Sequence, residues 1–187
     1  MGTMTTLPVT CGFTRADLDA MPDDGRRYEL IDGVIVVTPS PVTRHQDIVG
    51  SLMVLMRAAC PHEHKVLVGP FDVALTGQRV IVPDVIVARR ADVTAKDLPT
   101  APVLAVEVLS PSTRWVDLGP KKQILAEAGC PSYWVVDPGQ GATPPTLIVH
   151  ELEAGRYAEV ARVTGAESWT ATRPFPVTIV PNDLLDD

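Results

Sequence analysis

Val103-Leu104-Ala105-Val106-Glu107-Val108-Leu109 is the stretch of sequence that decides the fold of this chain. Every side chain in it is apolar except that of Glu107. A continuous apolar run of this length predicts a central strand that is covered on both faces. An isolated ionised carboxylate is costly to bury, so buried acids are usually paired, protonated or bound to a metal. Glu107 therefore marks a candidate functional site.

A second strand-like run, from Val80 to Val87, carries one acid of its own, Asp84, directly after Pro83. Taken alone, Asp84 would be interpreted as a turn acid at a strand end. Two adjacent strands that each carry one inward acid, however, can place two carboxylates on a single cation. We therefore predict a metal site that contains Asp84 and Glu107.

The chain has 187 residues, and we predict a single domain over residues 1–187 with its core at about 13–185. A hydrophobic content of 45% and a charged content of 21% are typical of a soluble globular protein. No apolar stretch reaches the ~18–20 residues of a membrane-spanning helix, and the first residues lack the features of a signal peptide. Cys11, Cys60 and Cys130 are widely spaced, so we expect reduced cysteines in a cytoplasmic protein.

The net charge of −7 argues against a stable, nonspecific coat on nucleic acid, because such binding relies on Lys and Arg. It does not exclude a local basic cleft, and an enzyme that gathers acids around a metal can be acidic overall. The aromatic content is only 5%, so stacking capacity is poor. We accordingly interpret Trp115, Trp134 and Trp169 as packing residues.

Two local patterns define elements near the N-terminus. Tyr28–Ile31 and Val34–Val37, joined by Asp32-Gly33, predict a hairpin with a tight turn. Helical spacing predicts a helix over Thr43–Ala59, with His45 at the start of its inward face. The inward positions are Ile48, Leu52, Leu55, Met56 and Ala59, and further strands are predicted at Ser132–Pro138, Leu147–Leu152 and Tyr157–Val163. The order of helix, strands, helix and strand predicts an α/β fold with a sheet of mixed direction.

A second helix is predicted to begin at Pro120 and to end at Gly129. Its inward stripe consists of Leu118, Lys121, Ile124, Leu125 and Ala128. Because this stripe must face the sheet, Lys121 is an ammonium group directed at the strand of Glu107, whereas Lys122 lies off the stripe. The alternative left open is that Lys121 extends to the surface or pairs with a core acid.

His45 and Glu29 have ordinary alternatives when each is considered alone. A lone histidine at a helix start is more often hydrogen-bonded than catalytic, and Glu29 would usually be a surface strand residue. The sequence contains no Gly-rich phosphate loop, serine nucleophile elbow or His-Glu-x-x-His motif.

Taken together, these residues resemble the Uma2 family, a branch of the PD-(D/E)xK restriction-endonuclease-like superfamily, from about Phe13 to Leu185. The matching stretches are Tyr28–Gly33, His45 at a helix start, Pro83-Asp84-Val85, Val106–Thr113, Asp117 with Lys121, and Tyr133–Pro138. Each stretch is weak singly, but their order and spacing are specific.

The resemblance implies a restriction-endonuclease-like α/β fold: a mixed β-sheet core flanked by helices, with an extra N-terminal hairpin and C-terminal strands. Asp84 corresponds to the aspartate of the family's Pro-Asp motif, and Glu107 to the acid of the next strand. The chain departs from the superfamily's Glu-x-Lys, because Leu109 stands two residues after Glu107. In this family the lysine position moves to the following helix, where Lys121 matches.

These observations lead to the hypothesis of a metal-dependent endonuclease that hydrolyses DNA phosphodiester bonds. Asp84, Glu107 and the carbonyl of Val108 would hold Mg²⁺ or Mn²⁺, and Lys121 would orient water or offset transition-state charge. Glu29 would lie next to the metal ligands or hold a second metal position, and His45 would contact phosphate or assist proton transfer. Further phosphate contacts would come from Arg44, Arg114 and Lys122.

Two expectations about partners and two alternative functions accompany this hypothesis. DNA is the expected substrate, although RNA stays open, and a homodimer is the expected assembly. The main alternative is a catalytically inert nucleic-acid-binding or protein-interaction module on the same fold. A hydrolase of small phosphorylated compounds is the second alternative.

Overall fold

The computed structural model describes residues 12–185, so the prediction made for Cys11 lies outside the described residues. The helices are α1 (Arg15–Asp19), α2 (Thr43–Ala59), α3 (Arg114–Val116) and α4 (Lys122–Glu127); a π-helical turn at Asp117–Lys121 joins α3 to α4, and 3-10 helices lie at Arg90–Asp92 and Pro181–Leu184. Within residues 12–185, no helix has both the length and the apolar character needed to cross a membrane.

Thirteen strands are present in the described part of the chain. They are β1 (Arg27–Ile31), β2 (Val34–Thr38), β3 (His64–Val68), β4 (Asp72–Thr76), β5 (Arg79–Ile81), β6 (Val85–Arg89), β7 (Asp97–Leu98), β8 (Leu104–Val108), β9 (Ser132–Asp137), β10 (Thr146–Glu153), β11 (Arg156–Thr164), β12 (Trp169–Ala171) and β13 (Val177–Ile179).

The strands form two main sheets and a short ribbon. The larger sheet has the order β11-β10-β9-β8-β6-β3, the smaller has the order β2-β1-β5-β4-β7, and β12 pairs with β13. The larger sheet is mixed, because β8 and β9 are parallel whereas its other pairs are antiparallel. The predicted α/β fold with a mixed sheet is confirmed.

The strand β8 is central, as its apolar run predicts. Leu104, Val106 and Val108 face a core shared with α2 and the C-terminal segment. Ala105 belongs to the core on the opposite face, which also includes residues of α4 and the smaller sheet. Since side chains alternate along a strand, Glu107 lies on the same face as Ala105, towards the α3–α4 segment.

The N-terminal hairpin and α2 agree with their sequence patterns. β1 pairs with β2 across Asp32 and Gly33, whose φ angles of 49° and 78° place both residues in the left-handed region that such a turn requires. In α2, His45, Ile48, Leu52 and Met56 are buried. The predicted inward stripe is wrong at its last position, because Ala59 in the final turn is exposed.

The prediction of one strand from Val80 to Val87 is wrong. β5 ends at Ile81 in the smaller sheet, and β6 begins at Val85 in the larger sheet. Pro83 has no N–H to donate to a ladder, which favours an interruption there. Asp84 therefore lies between the two sheets, directly before β6, rather than inside a strand.

The second predicted helix begins earlier than its sequence suggests. The helical segment starts at Arg114, and Pro120 lies within the π turn instead of the first turn. Pro120 has no N–H to donate to the carbonyl of Val116. The i→i+5 spacing of a π turn allows the N–H of Lys121 to reach that carbonyl instead.

This additional residue in the π turn changes which side chains face inward. Lys121, Ile124 and Leu125 are buried as predicted, whereas Leu118 and Ala128 are exposed. Asp117 is buried in the position that the regular helical pattern assigned to Leu118.

Candidate active site

Lys121 lies at the centre of a cluster of buried carboxylates. Its Nζ is 2.7 Å from Glu107 Oε1, 3.1 Å from Glu29 Oε1 and 3.5 Å from Asp117 Oδ1. All four side chains are almost fully buried. Glu107 Oε1 has no hydrogen-bond partner in the described part of the chain. Its contact with Lys121 is therefore an ion pair and not a well-aligned hydrogen bond. Of the alternatives for Lys121, pairing with core acids is therefore what the structure shows.

Asp84 forms the second half of the site and accepts contacts from three other elements. Its Oδ1 is 3.1 Å from Arg27 Nη1 of β1, and its Oδ2 is 3.1 Å from His45 Nε2 of α2. The same Oδ2 accepts a hydrogen bond of 2.9 Å from the N–H of Val108. Since Val85 pairs with Val106 in antiparallel register, Asp84 lies opposite Glu107 at the end of the sheet.

The interruption between β5 and β6 is stabilised by the site's own acids. Glu29 Oε1 accepts a 2.7 Å hydrogen bond from the N–H of Val82, while Asp84 satisfies the N–H of Val108. Buried backbone donors need such partners. Glu29 thus satisfies a donor in the segment that crosses between the sheets, and Asp84, which lies in that segment, satisfies a donor at the end of β8.

The charges around Asp84 keep it ionised. Burial alone would raise its pKa, but the hydrogen bond with His45 and the charges of His45, Lys121 and Arg27 outweigh burial and lower the pKa to about 2. His45 Nε2 must then donate to an ionised acceptor. For Arg27, burial would lower the pKa, but Glu29, Asp84 and Glu107 raise it, so its guanidinium stays charged.

Around Lys121 the balance is the opposite. Burial raises the pKa of Glu107 well above its ordinary value, and burial also raises the pKa of Asp117, although Lys121 opposes both shifts. Burial would lower the pKa of Lys121 itself, but Glu107, Glu29, Asp117 and Asp84 together raise it. Lys121 is consequently a permanent cation at neutral pH and not a proton acceptor.

The cluster suits a divalent cation in donor type and in charge. Four buried carboxylates, those of Glu29, Asp84, Glu107 and Asp117, face two permanent cations, Arg27 and Lys121. With all four acids ionised, the negative charges would outnumber these two cations, and carboxylate oxygens are ligands that Mg²⁺ and Mn²⁺ prefer. Among residues 12–185, however, no three His, Cys, Asp or Glu side chains already converge as a chelating group.

The three basic residues that the sequence assigned to phosphate binding lie in two places. Arg44 Nε donates to the carbonyl of Pro138 at 3.1 Å, and Arg114 Nη1 contacts Asp137 Oδ2 at 2.8 Å. Both residues therefore lie beside the end of β9, which runs parallel to β8. Lys122 is half-buried and its charge acts on His150 and Glu159, towards β10 and β11.

Sequence reasoning missed Arg27 and Tyr133. Arg27 stands two residues before Glu29 in β1, and side chains at i and i+2 share a face of a strand, so alternation could have identified it. Tyr133 is buried in β9, and its hydroxyl donates a 2.7 Å hydrogen bond to the carbonyl of Asp117. That bond holds the π turn that carries Asp117 and Lys121, and no local pattern indicates it.

Comparisons with known proteins agree with this architecture. The sequence model of the Uma2 family, described as "Putative restriction endonuclease", matches residues 15–182. A crystal structure of "a putative nuclease belonging to DUF820" from Anabaena variabilis ATCC 29413 superimposes with a TM-score of 0.76 at 17% sequence identity, covering 92% of this chain and 97% of that chain. At this identity the likeness establishes the fold. No curated protein matches the chain.

Proposed function

The chain belongs to the Uma2 family, and from this premise we propose that it is a metal-dependent endonuclease that hydrolyses phosphodiester bonds of DNA. The observation that carries the proposal is the buried ion pair between Lys121 and Glu107, 2.7 Å long, with Asp84 lying opposite Glu107. Buried charges of this kind are expensive to maintain, and their clustering in one place favours a chemical role.

The ionised state of Asp84 and the position of Glu107 make these two residues the proposed metal ligands, together with the carbonyl of Val108. Mg²⁺ or Mn²⁺ bound there would supply Lewis-acid stabilisation of charge on the phosphate and a more acidic water. Two side-chain ligands and one carbonyl are compatible with the absence of a preformed three-residue chelate in residues 12–185.

The other residues have supporting roles in the proposal. Lys121, as a fixed cation, orients the attacking water or offsets charge that develops on the phosphate in the transition state. Glu29 holds Lys121 in place through its 3.1 Å contact. His45 and Arg27 orient Asp84 through contacts of 3.1 Å each, which gives His45 a positioning role rather than proton transfer.

Arg44 and Arg114 are the proposed contacts to flanking phosphates. Both are held at the end of β9 by the Asp137-Pro138 segment, and a phosphate would attract their guanidinium groups. Lys122 is left out of this role, because its titratable neighbours are His150 and Glu159, in β10 and β11.

The test is cleavage of supercoiled and single-stranded DNA with Mg²⁺ or Mn²⁺, using wild type, Glu107→Gln and the control Glu63→Gln. Glu63 is an exposed acid that precedes β3. We expect metal-dependent cutting by wild type and Glu63→Gln, with cutting reduced to background in Glu107→Gln. A Glu107→Gln variant as fast as wild type would exclude this mechanism.

Melting temperatures measured with and without metal separate binding from chemistry, because a ligand stabilises the state that binds it. A metal-induced rise without cutting would keep the metal site and reject DNA as the substrate. The absence of both a rise and cutting would favour the alternative, an inert nucleic-acid-binding or protein-interaction module; of these two, the net charge of −7 suits protein interaction better.

A further inference from the structure

A narrow cleft of about 110 Å³ lies between β2 and the helical segment that carries Lys121. Its lining includes Glu29 and Asp117, which are buried and contact Lys121, and Val37 and Trp115, which are 47% and 66% exposed. The cleft is thus charged at its inner end and apolar at its mouth. It connects the candidate active site with the surface.

Trp115 has an environment unlike those of the other two tryptophans. Trp134 is buried and packs edge to face against Trp169, with ring centroids 5.5 Å apart. Trp115 is 66% exposed, and no aromatic ring within residues 12–185 pairs with it. The sequence-based interpretation of Trp115 as a packing residue is therefore wrong, because the short helix α3, which contains Trp115, turns this side chain outward while neighbouring Val116 is buried.

We propose that Trp115 and Val37 bind the flat face of an unpaired nucleobase, so that the preferred substrate is single-stranded or locally unpaired at the site of cleavage. This inference rests on the proposed function for the identity of the ligand as a polynucleotide. An indole face stacks on any base, and such stacking is sequence-tolerant. Val37 supplies an apolar contact from β2, on the other side of the cleft.

The chemistry along the cleft matches one nucleotide better than a duplex. A nucleotide offers an apolar base face next to an anionic phosphate. The cleft has an apolar mouth next to the carboxylates of Glu29 and Asp117, so the phosphate would depend on the cation proposed at Asp84 and Glu107. In a duplex, both faces of each base are covered by neighbouring pairs, so a base must leave the stack before an aromatic side chain can bind it.

The test is binding without cleavage, measured in EDTA and again with Ca²⁺. Wild type, Trp115→Phe, Trp115→Ala and the control Trp169→Phe are titrated with a short labelled oligothymidylate and with a matched duplex. We expect the single strand to quench tryptophan fluorescence in wild type and in Trp169→Phe but not in Trp115→Phe. By anisotropy, Trp115→Ala should bind the single strand about tenfold more weakly, whereas Trp115→Phe should bind nearly as well as wild type.

Several results would overturn the inference. Unchanged single-strand affinity in Trp115→Ala, or no quenching of wild type in either buffer, would reject base stacking. A Trp115→Ala variant that changes oligomeric state in sedimentation would instead make this patch an interface between copies of the chain. Quenching at Trp115 without cutting in Mg²⁺ would reject the nuclease proposal and support the base site. Undiminished cutting by Trp115→Ala, with no preference for single-stranded over duplex DNA, would support the nuclease proposal and reject the base site.

Discussion

Asp84 and Glu107 are both almost fully buried, but the halves of the site to which they belong have opposite balances of donors and acceptors. In the Asp84 half, one carboxylate receives contacts from Arg27, His45 and the N–H of Val108. In the Lys121 half, three carboxylates share one ammonium. The pKa of Asp84 falls to about 2, whereas burial raises the pKa of Glu107 well above its usual value. Burial alone therefore does not decide ionisation; the number of positive partners does.

This difference also indicates where an added cation would be favourable. The Asp84 half supplies an acid that is ionised at neutral pH, and the Lys121 half contains acids whose charge is incompletely offset. A divalent cation between Asp84 and Glu107 would be bound by the ionised carboxylate of Asp84. It would also offset the excess negative charge of the acids around Lys121. Three substitutions test this comparison, in order of their expected effect on stability.

Lys121→Met is expected to cause the largest loss, because it removes the ammonium that contacts Glu29, Glu107 and Asp117. Removing one partner from a buried ionic group typically costs about 3–5 kcal/mol. We expect a loss of that size in the free energy of unfolding at pH 7, measured by urea denaturation. The loss should become smaller as the pH is lowered from 7, because burial raises the pKa values of Glu107 and Asp117 and protonation removes the charge that is left without a partner.

Lys122→Met is the matched control, because Lys122 is only half-buried and its charge acts on Glu159. Its unfolding midpoint should stay close to that of wild type. Equal midpoints for Lys121→Met and wild type would show that the three carboxylates do not depend on the ammonium.

Asp84→Asn is expected to have an intermediate effect that depends on pH. The folded pKa of about 2 lies below the ordinary value of 3.8, which corresponds to about 2 kcal/mol of stability above pH 3.8. A lowered pKa means that this stability is lost as the pH falls through 3.8 towards 2. Wild type should lose it over that range, and Asp84→Asn should lack this part of the pH dependence.

The measurement is urea unfolding at a series of pH values, with Asp23→Asn as the control. Asp23 is exposed, so its substitution should leave the pH profile unchanged. A profile for Asp84→Asn that parallels wild type between pH 4 and pH 2 would contradict the proposed set of donors around Asp84.

Tyr133→Phe is expected to have the smallest effect on stability, about 1 kcal/mol, because it removes one buried hydrogen bond to the carbonyl of Asp117. Tyr157→Phe is the control, since its hydroxyl makes a similar 2.8 Å bond to the carbonyl of Cys130. Both variants should lose similar stability by thermal unfolding. Cleavage should fall in Tyr133→Phe alone, because that bond supports the turn that positions Lys121. Equal cleavage by the two variants would limit Tyr133 to a structural role.

Much of the fold could be predicted because its signals are local. The Asp32-Gly33 turn between β1 and β2, the helical spacing of α2 and the apolar run of β8 each lie within one segment, and the structure contains all of these elements. The prediction failed where one residue altered the local period. Pro83 divides the run from Val80 to Val87 between two sheets, and Pro120 lies within a π turn that exposes Leu118.

The candidate site was predicted in part. Period alone indicated that Glu107 is buried and that Lys121 faces it, and both residues lie in one cluster. The partners of Asp84 were not predicted, since Arg27 lies 57 residues and His45 lies 39 residues away in sequence. The burial of Glu29 depends likewise on distant segments, because its carboxylate contacts Lys121 and the N–H of Val82.

By itself, the sequence determined that this protein has a buried acid on a central strand and a lysine directed at it, because side-chain direction follows from the period of a strand or helix. Only the tertiary structure decided which acids are ionised, which tryptophan is exposed, and which basic residues flank the site. These properties depend on distances and burial summed over several elements, and electrostatic energies in a protein vary with the position of every neighbouring charge.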